Sequence, residues 1–171
     1  MRKKSTQHGA GAPAAAPSFD IMVVRRNGAP MRPGKEHLVT LFKKTWSLLP
    51  ATRRPELHGQ TRVAVDILMV DDREIETLNA AHLKERGPTD VLSFPMGELD
   101  FERNAYHLGE IVVSFDTAAV EAKARTITFE DELSRYCVHG FLHLLGYEDG
   151  AAAQQKEMFE IQEKALGNSG S

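Results

Sequence analysis

Cysteine is nearly missing: Cys137 stands alone among 171 residues, so no internal disulfide can form, and a reducing cytoplasm is the expected location. No apolar run is long enough to cross a bilayer, which excludes a helical membrane span. The N-terminus opens with Arg2, Lys3 and Lys4, but Gly, Ala and Pro follow, with no large apolar residue before Phe19. A secretory signal needs such a stretch and is not expected. A large charge excess is missing too, since the net charge is only -3. The distribution is less even. Residues 1–62 hold 12 Lys and Arg against 3 Asp and Glu, a balance of +9, and residues 63–171 hold 9 against 21, a balance of -12. Such asymmetry suits a face that meets a polyanion, although solvated surface charge would give the same count.

What is there reads as one soluble domain. Hydrophobic residues make up 42% and charged residues 26%, ordinary for a globular chain of a length that can bury its own core. Residues 1–17 are too poor in apolar groups to offset ordering entropy and are expected to be a disordered tail. Residues 168–171 are expected to be a second, short tail, leaving 18–167 as the domain. Within it, Phe19 to Val24 reads as a strand. Lys35 to Leu49 carries Leu38, Leu41, Phe42, Trp46 and Leu49 at helical spacing, and Pro50 stops it. Thr61 to Val70 alternates and then turns fully apolar, as a strand entering a core does. Asp72 is expected to cap a helix running to His82. Val91 to Phe94 and Ile111 to Ser114 read as short strands, with Gly97 to His107 between them as a polar surface loop. Two helices follow, the second from near Phe129 to Gly146, and then a last amphipathic one using Met158, Ile161 and Leu166. This order predicts an α+β fold: a small mixed β-sheet with packed helices, one of them central.

The strongest chemical signal is the stretch from His139 to Asp149, His-Gly-Phe-Leu-His-Leu-Leu-Gly-Tyr-Glu-Asp. Two histidines four apart on a helix share a face, one turn apart, where both imidazoles can bind one tetrahedral ion. Leu133, Cys137, Gly140 and Leu144 form a neighbouring stripe that would bury the helix. Gly146, three residues after the second histidine, can adopt the left-handed conformation that ends a helix and reverses the chain. The reversal would return Asp149 to the histidines as a third ligand. Three protein ligands leave a fourth position open, the arrangement of catalytic rather than structural zinc.

These residues resemble the YbeY-type endoribonucleases, bacterial metal-dependent rRNA maturation factors with the pattern H-G-x-L-H-L-x-G-Y-D-H. A second stretch, Leu78-Asn79 followed by Gly87-Pro88-Thr89-Asp90-Val91-Leu92-Ser93-Phe94-Pro95, resembles the family's L-N…P-T-D-V-L-S-F-P. A third, Leu108-Gly109-Glu110-Ile111-Val112-Val113-Ser114, is similar to L-G-D-I-V-I-S. The likeness runs over about residues 20–166. It implies a metal-binding helix at the centre of the fold, a single zinc site, cleavage of single-stranded RNA, and a role in ribosome maturation and quality control, with ribosomal RNA and ribosomal proteins as partners. The chain departs from the pattern at its third histidine, which is Asp149 here, with Glu148 before it. It departs again four residues after Asn79, where the family commonly has an arginine and this chain has Leu83.

Phosphodiester hydrolysis gathers negative charge in its transition state, so cations near the ion would help. Lys84 and Arg86 are candidates for that role, and Arg53 and Arg54 for contacts to the RNA backbone, against the plainer reading of solvated loop residues. Asp90 and Ser93 are candidates for supporting the substrate, against the plainer reading of a turn cap and a strand residue. His82 and His107 could move protons near neutral pH. Two rival functions stand beside the nuclease. A metallopeptidase needs H-E-x-x-H, whose glutamate activates water, and Gly140 occupies that position. A non-catalytic ribosome-assembly factor would bind RNA or ribosomal proteins without cutting.

Overall fold

The computed structural model describes residues 16–82, 87 and 89–167. Lys84 and Arg86 lie outside the described residues, as do Leu83 and most of the two expected tails. The elements are β1 (Ser18–Arg25), α1 (Lys35–Leu48), a 3-10 turn (Ala51–Arg53), β2 (Arg62–Val70), α2 (Asp72–His82), β3 (Val91–Asp100), β4 (Ala105–Ser114), α3 (Phe115–Arg125), α4 (Phe129–Leu144) and α5 (Ala152–Leu166). The sheet order is β1-β2-β4-β3, with β1, β2 and β4 parallel and β3 antiparallel to β4. This is the mixed α+β architecture that the element order predicts.

Alternation along the strands divides the apolar residues between two faces. Phe19 and Ile21 of β1, Val63, Val65, Ile67 and Met69 of β2, and Ile111 and Val113 of β4 meet α1, α4 and α5 in the main core. Leu92 and Val112 with Val70 form a smaller cluster under Ile75 of α2 on the other face. Helix α4 is buried along most of its length and packs against β3, β4, α1, α3 and α5, so it is central to the helical layer. Phe141 fixes its rotation: its ring stacks on Phe42 of α1 with centroids 4.3 Å apart and meets Phe19 of β1 edge-on at 5.7 Å. Burying a phenylalanine contributes about 1.5–3 kcal/mol, so turning this face away from the core would be costly. Thr128 starts α4, its hydroxyl accepting from the Asp131 amide at 3.1 Å, and Glu130, Asp131 and Glu132 put negative charge at the positive end of the helix dipole.

Two glycines set the distance between α4 and the sheet. A Cβ on Gly140 would stand 2.5 Å from Ile111 Cγ2 and 3.1 Å from both Ser93 Oγ and Val91 Cγ2. A Cβ on Gly109 would stand 2.3 Å from the Phe94 carbonyl oxygen and 2.8 Å from a Leu144 methyl. Helix and strands approach closely only because neither position carries a side chain.

Three local expectations differ from the structure. The cap of α2 is Asp71, whose carboxylate accepts from the Glu74 amide at 2.8 Å. Asp72 instead accepts from the hydroxyls of Ser114 and Thr117, the latter at 2.7 Å, and joins α2 to the start of α3. The segment from Gly97 to His107 is not a surface loop but most of a hairpin, with Gly97–Asp100 ending β3 and Ala105–His107 opening β4. Its pairing shifts between Pro95 and Glu98, a bulge that breaks the alternation from which a strand is read. The helix carrying the histidines ends at Leu144, two residues before Gly146.

Candidate metal centre

The end of α4 builds the site. Gly146 has φ +85°, its amide donates to the His143 carbonyl at 2.9 Å, and the Tyr147 amide donates to the Leu142 carbonyl at 3.2 Å. This pair of bonds is the Schellman arrangement, in which a left-handed residue closes the helix and sends the chain back over its last turn. Tyr147 is thereby buried, and its carbonyl faces His143, whose Nδ1 lies 2.8 Å away. Two residues on, Asp149 Oδ2 lies 3.5 Å from His143 Nε2.

The second histidine partner comes from α5. Gln162 is buried, and its Oε1 lies 3.0 Å from His139 Nδ1. Both Nδ1 atoms thus face acceptors, a carbonyl and an amide oxygen, and a ring proton on each Nδ1 would satisfy both. The two Nε2 atoms then present lone pairs to one another at 3.0 Å. Facing lone pairs at that distance repel unless a cation lies between them. A tetrahedral zinc with bonds of about 2.0–2.1 Å would separate two nitrogens by roughly 3.3 Å, close to the spacing found. Ligating atoms of His139, His143 and Asp149 all lie within 4.8 Å of one another, the one such group among the described residues, and Glu148 is not part of it. Two imidazoles and a carboxylate are a donor set that zinc accepts. The residues therefore fit a divalent ion. Burial, and then the adjacent His143, hold the His139 pKa below its usual value, so the ring is neutral and available as a ligand at pH 7.

A cavity of about 880 Å³ opens over this group. Asp90 and Ser93 line it, as do His82, Phe94 and Pro95. Asp90 accepts from the Val91 amide at 2.9 Å and from the Thr89 hydroxyl at 3.2 Å. The Ser93 hydroxyl donates to the Gly140 carbonyl at 3.2 Å, tying β3 to α4. Both candidates therefore hold the wall of the cavity while facing it. His82 is exposed at the end of α2 with its ring against Phe94. His107 is elsewhere, buried 3.1 Å from Asp66 in a charged cluster with Arg103 on the sheet face away from α4. Asn79 donates to the Gly87 carbonyl at 3.2 Å and fastens α2 to the approach to β3. Arg53 and Arg54 flank the site in a neighbouring cavity. Arg53 reaches the Gly146 carbonyl at 3.4 Å and lies over the Tyr147 ring, 4.6 Å from its centroid, whereas Arg54 donates to the Leu49 carbonyl at 3.1 Å.

Sequence reasoning missed Gln162. It was open to detection, since a glutamine four residues after Met158 interrupts the apolar stripe of α5, and a polar group there needs a buried partner.

A sequence model of the family described as Endoribonuclease YbeY matches residues 35–170. This chain belongs to that family. Among its relatives, the endoribonuclease YbeY of Beutenbergia cavernae is 35% identical over 136 residues, covering 77% of this chain and 91% of that protein. Those of Myxococcus xanthus and Aquifex aeolicus are each 41% identical, over 116 and 102 residues. The matched stretch is 67% of this chain and 38% of the Myxococcus protein, and 59% of this chain and 66% of the Aquifex protein. A Thermotoga maritima protein of known solution structure is similar at 30% identity with a TM-score of 0.53, covering 87% of this chain and 88% of that one. Within the YbeY pattern the roles of the three glycines are now physical: Gly109 and Gly140 allow close approach, and Gly146 reverses the chain.

Proposed function

We propose that this YbeY-family chain is a zinc-dependent endoribonuclease that hydrolyses single-stranded RNA and acts in the cytoplasm in rRNA maturation and ribosome quality control. The observation that carries the proposal is the pair of Nε2 atoms facing one another at 3.0 Å, with the Asp149 carboxylate beside them and a cavity above.

His139, His143 and Asp149 would hold the ion. When bound, zinc supplies Lewis acidity toward a phosphoryl oxygen. The Tyr147 carbonyl and the Gln162 amide fix the two imidazole tautomers, so that the ligand atoms need no reorganisation. Ser93 keeps β3 against α4, and Asp90 fixes the start of β3 through the Val91 amide, so the cavity wall is held in register with the site. Lys84 and Arg86 are proposed as further cations for the phosphate, taking over from the arginine replaced by Leu83. A peptidase-like general base has no room, since even a methyl at position 140 would meet Ile111 at 2.5 Å. The second reading, an assembly factor that binds ribosomal RNA or proteins without cutting, draws its support from Leu83.

The test is cleavage of a labelled single-stranded RNA and of the same sequence as a duplex by purified, metal-analysed protein, with and without a chelator. Chelator-sensitive cleavage of the single strand alone is expected. Tight RNA binding with no cleavage at full metal occupancy would favour the assembly factor.

A further inference from the structure

Beside the metal cavity lies a second, smaller one of about 380 Å³. Its apolar walls include Pro95, Met96, Tyr106 and Leu108, and Arg53 also lines it. The two cavities share Pro95 and Gly146 in their walls, so they lie side by side. The bulge in β3 begins at Pro95, and Met96 stands half-exposed within it. Arg53 stands at the junction, bonded to the Gly146 carbonyl and lying over the ring of Tyr147. That stacking orders the guanidinium, and the Gly146 carbonyl engages only its Nη1. Among the described residues, no carboxylate pairs with it. Arg54, the other cation here, is held to the end of α1 through Leu49.

We propose that this slot is the subsite for the nucleotide next to the scissile phosphate, with Arg53 gripping that nucleotide's own phosphate and the base lying against Met96 and Pro95. An ordered, unpaired guanidinium beside an apolar slot meets both needs of a single-stranded nucleotide: a cation for the backbone and a flat apolar wall for the base. The wall assigned to the base, Pro95 and Met96, carries no side-chain hydrogen-bonding group, so the subsite reads single-strandedness and not sequence. The inference rests on the endoribonuclease reading.

The test uses the full, zinc-loaded chain and a fluorescein-labelled 12-nucleotide single-stranded RNA. Arg53→Gln should keep its metal, weaken RNA binding roughly tenfold at 0.1 M salt, and lower the slope of log affinity against log salt by about one. Arg53→Lys should restore the salt slope but only part of the affinity, because a lysine contacts phosphate as a point charge. In the parent protein, an abasic residue beside the cleavage site should raise KM, and Met96→Ala should shrink that penalty. If the parent binds and cleaves the RNA and Arg53→Gln matches it in affinity and slope, the subsite is wrong and the nuclease stands. If Arg53→Gln loses zinc together with RNA, Arg53 only supports the Tyr147 turn, and the subsite is again wrong. If the metal-replete parent neither binds nor cleaves the RNA, the nuclease reading has failed and the subsite falls with it.

Discussion

Gly140→Ala adds one methyl group where α4 lies closely against the sheet. Two effects oppose each other. Alanine is the better helix former by about 1 kcal/mol, and position 140 lies inside α4. Against this, the new carbon would lie 2.5 Å from Ile111 Cγ2 and 3.1 Å from two further atoms, on three residues of two adjacent strands. Ordinary carbon contacts are about 3.5–4.0 Å, so α4 must lift by about 1 Å or the strands must part. Overpacking of this kind costs about 1–3 kcal/mol, and three neighbours at once point to the upper end. The net expectation is a loss of about 2 kcal/mol, or about 4–8 °C in Tm for a chain of this size. The assay is urea and thermal unfolding in excess chelator, so that linkage to metal binding does not enter. A second readout follows from position: His139 rides on the lifted helix while its partner Gln162 stays on α5, so the ring loses its support and zinc affinity should fall as well. An alanine variant as stable as the parent, or more stable, would refute the seating of α4 described above.

Asp71→Ala removes the α2 cap and should cost about 1 kcal/mol in urea unfolding, whereas Asp71→Ser should recover most of it; equal losses would mean that the cap contributes nothing. Asp20 tests the charged cluster through pH. Burial raises its pKa, but hydrogen bonds and charge from Arg103 and Lys35 outweigh burial and hold it below 3.8. The folded state therefore binds the Asp20 proton less tightly than the unfolded chain does. The associated stability is fully present above about pH 3.8 and is lost as pH falls below it. The urea midpoint of the parent should drop more steeply than that of Asp20→Asn between pH 4.5 and 2.5, and parallel curves would remove the argument.

Much of this architecture is legible in the chain because local rules and tertiary demands agree there. Leu133, Cys137 and Leu144 mark the buried face of α4 and are all buried, and Gly146 reverses the chain where its lack of a side chain permits. The reading fails where only the folded partner decides. Asp71 and Asp72 are chemically alike, and Ser114 and Thr117, more than 40 residues on, determine which of them is left to cap α2. The β3–β4 hairpin hides behind its bulge and behind the polar residues Glu98 and Asp100 on an edge strand, where solvent accepts them. Arg54 looks as free as Arg53 in the sequence, yet it caps a carbonyl of α1, and His107 sits by Asp66 on the far face of the sheet.

The central claim is that Asp149 completes a metal site with His139 and His143 in place of the family's histidine. Titration of zinc into metal-free parent, Asp149→Ala, Glu148→Ala and Asp149→His, with RNA cleavage followed on the same samples, tests it most directly. Even loss of a group that only hydrogen-bonds to a ligand weakens metal sites about 10–100-fold, so removal of a ligand should cost at least on the order of 100-fold in zinc affinity. The account predicts that loss for Asp149→Ala, with cleavage lost in parallel, near-parental zinc binding for Glu148→Ala, and parental or tighter binding with cleavage retained for Asp149→His. Zinc binding by Asp149→Ala as tight as the parent's would contradict it.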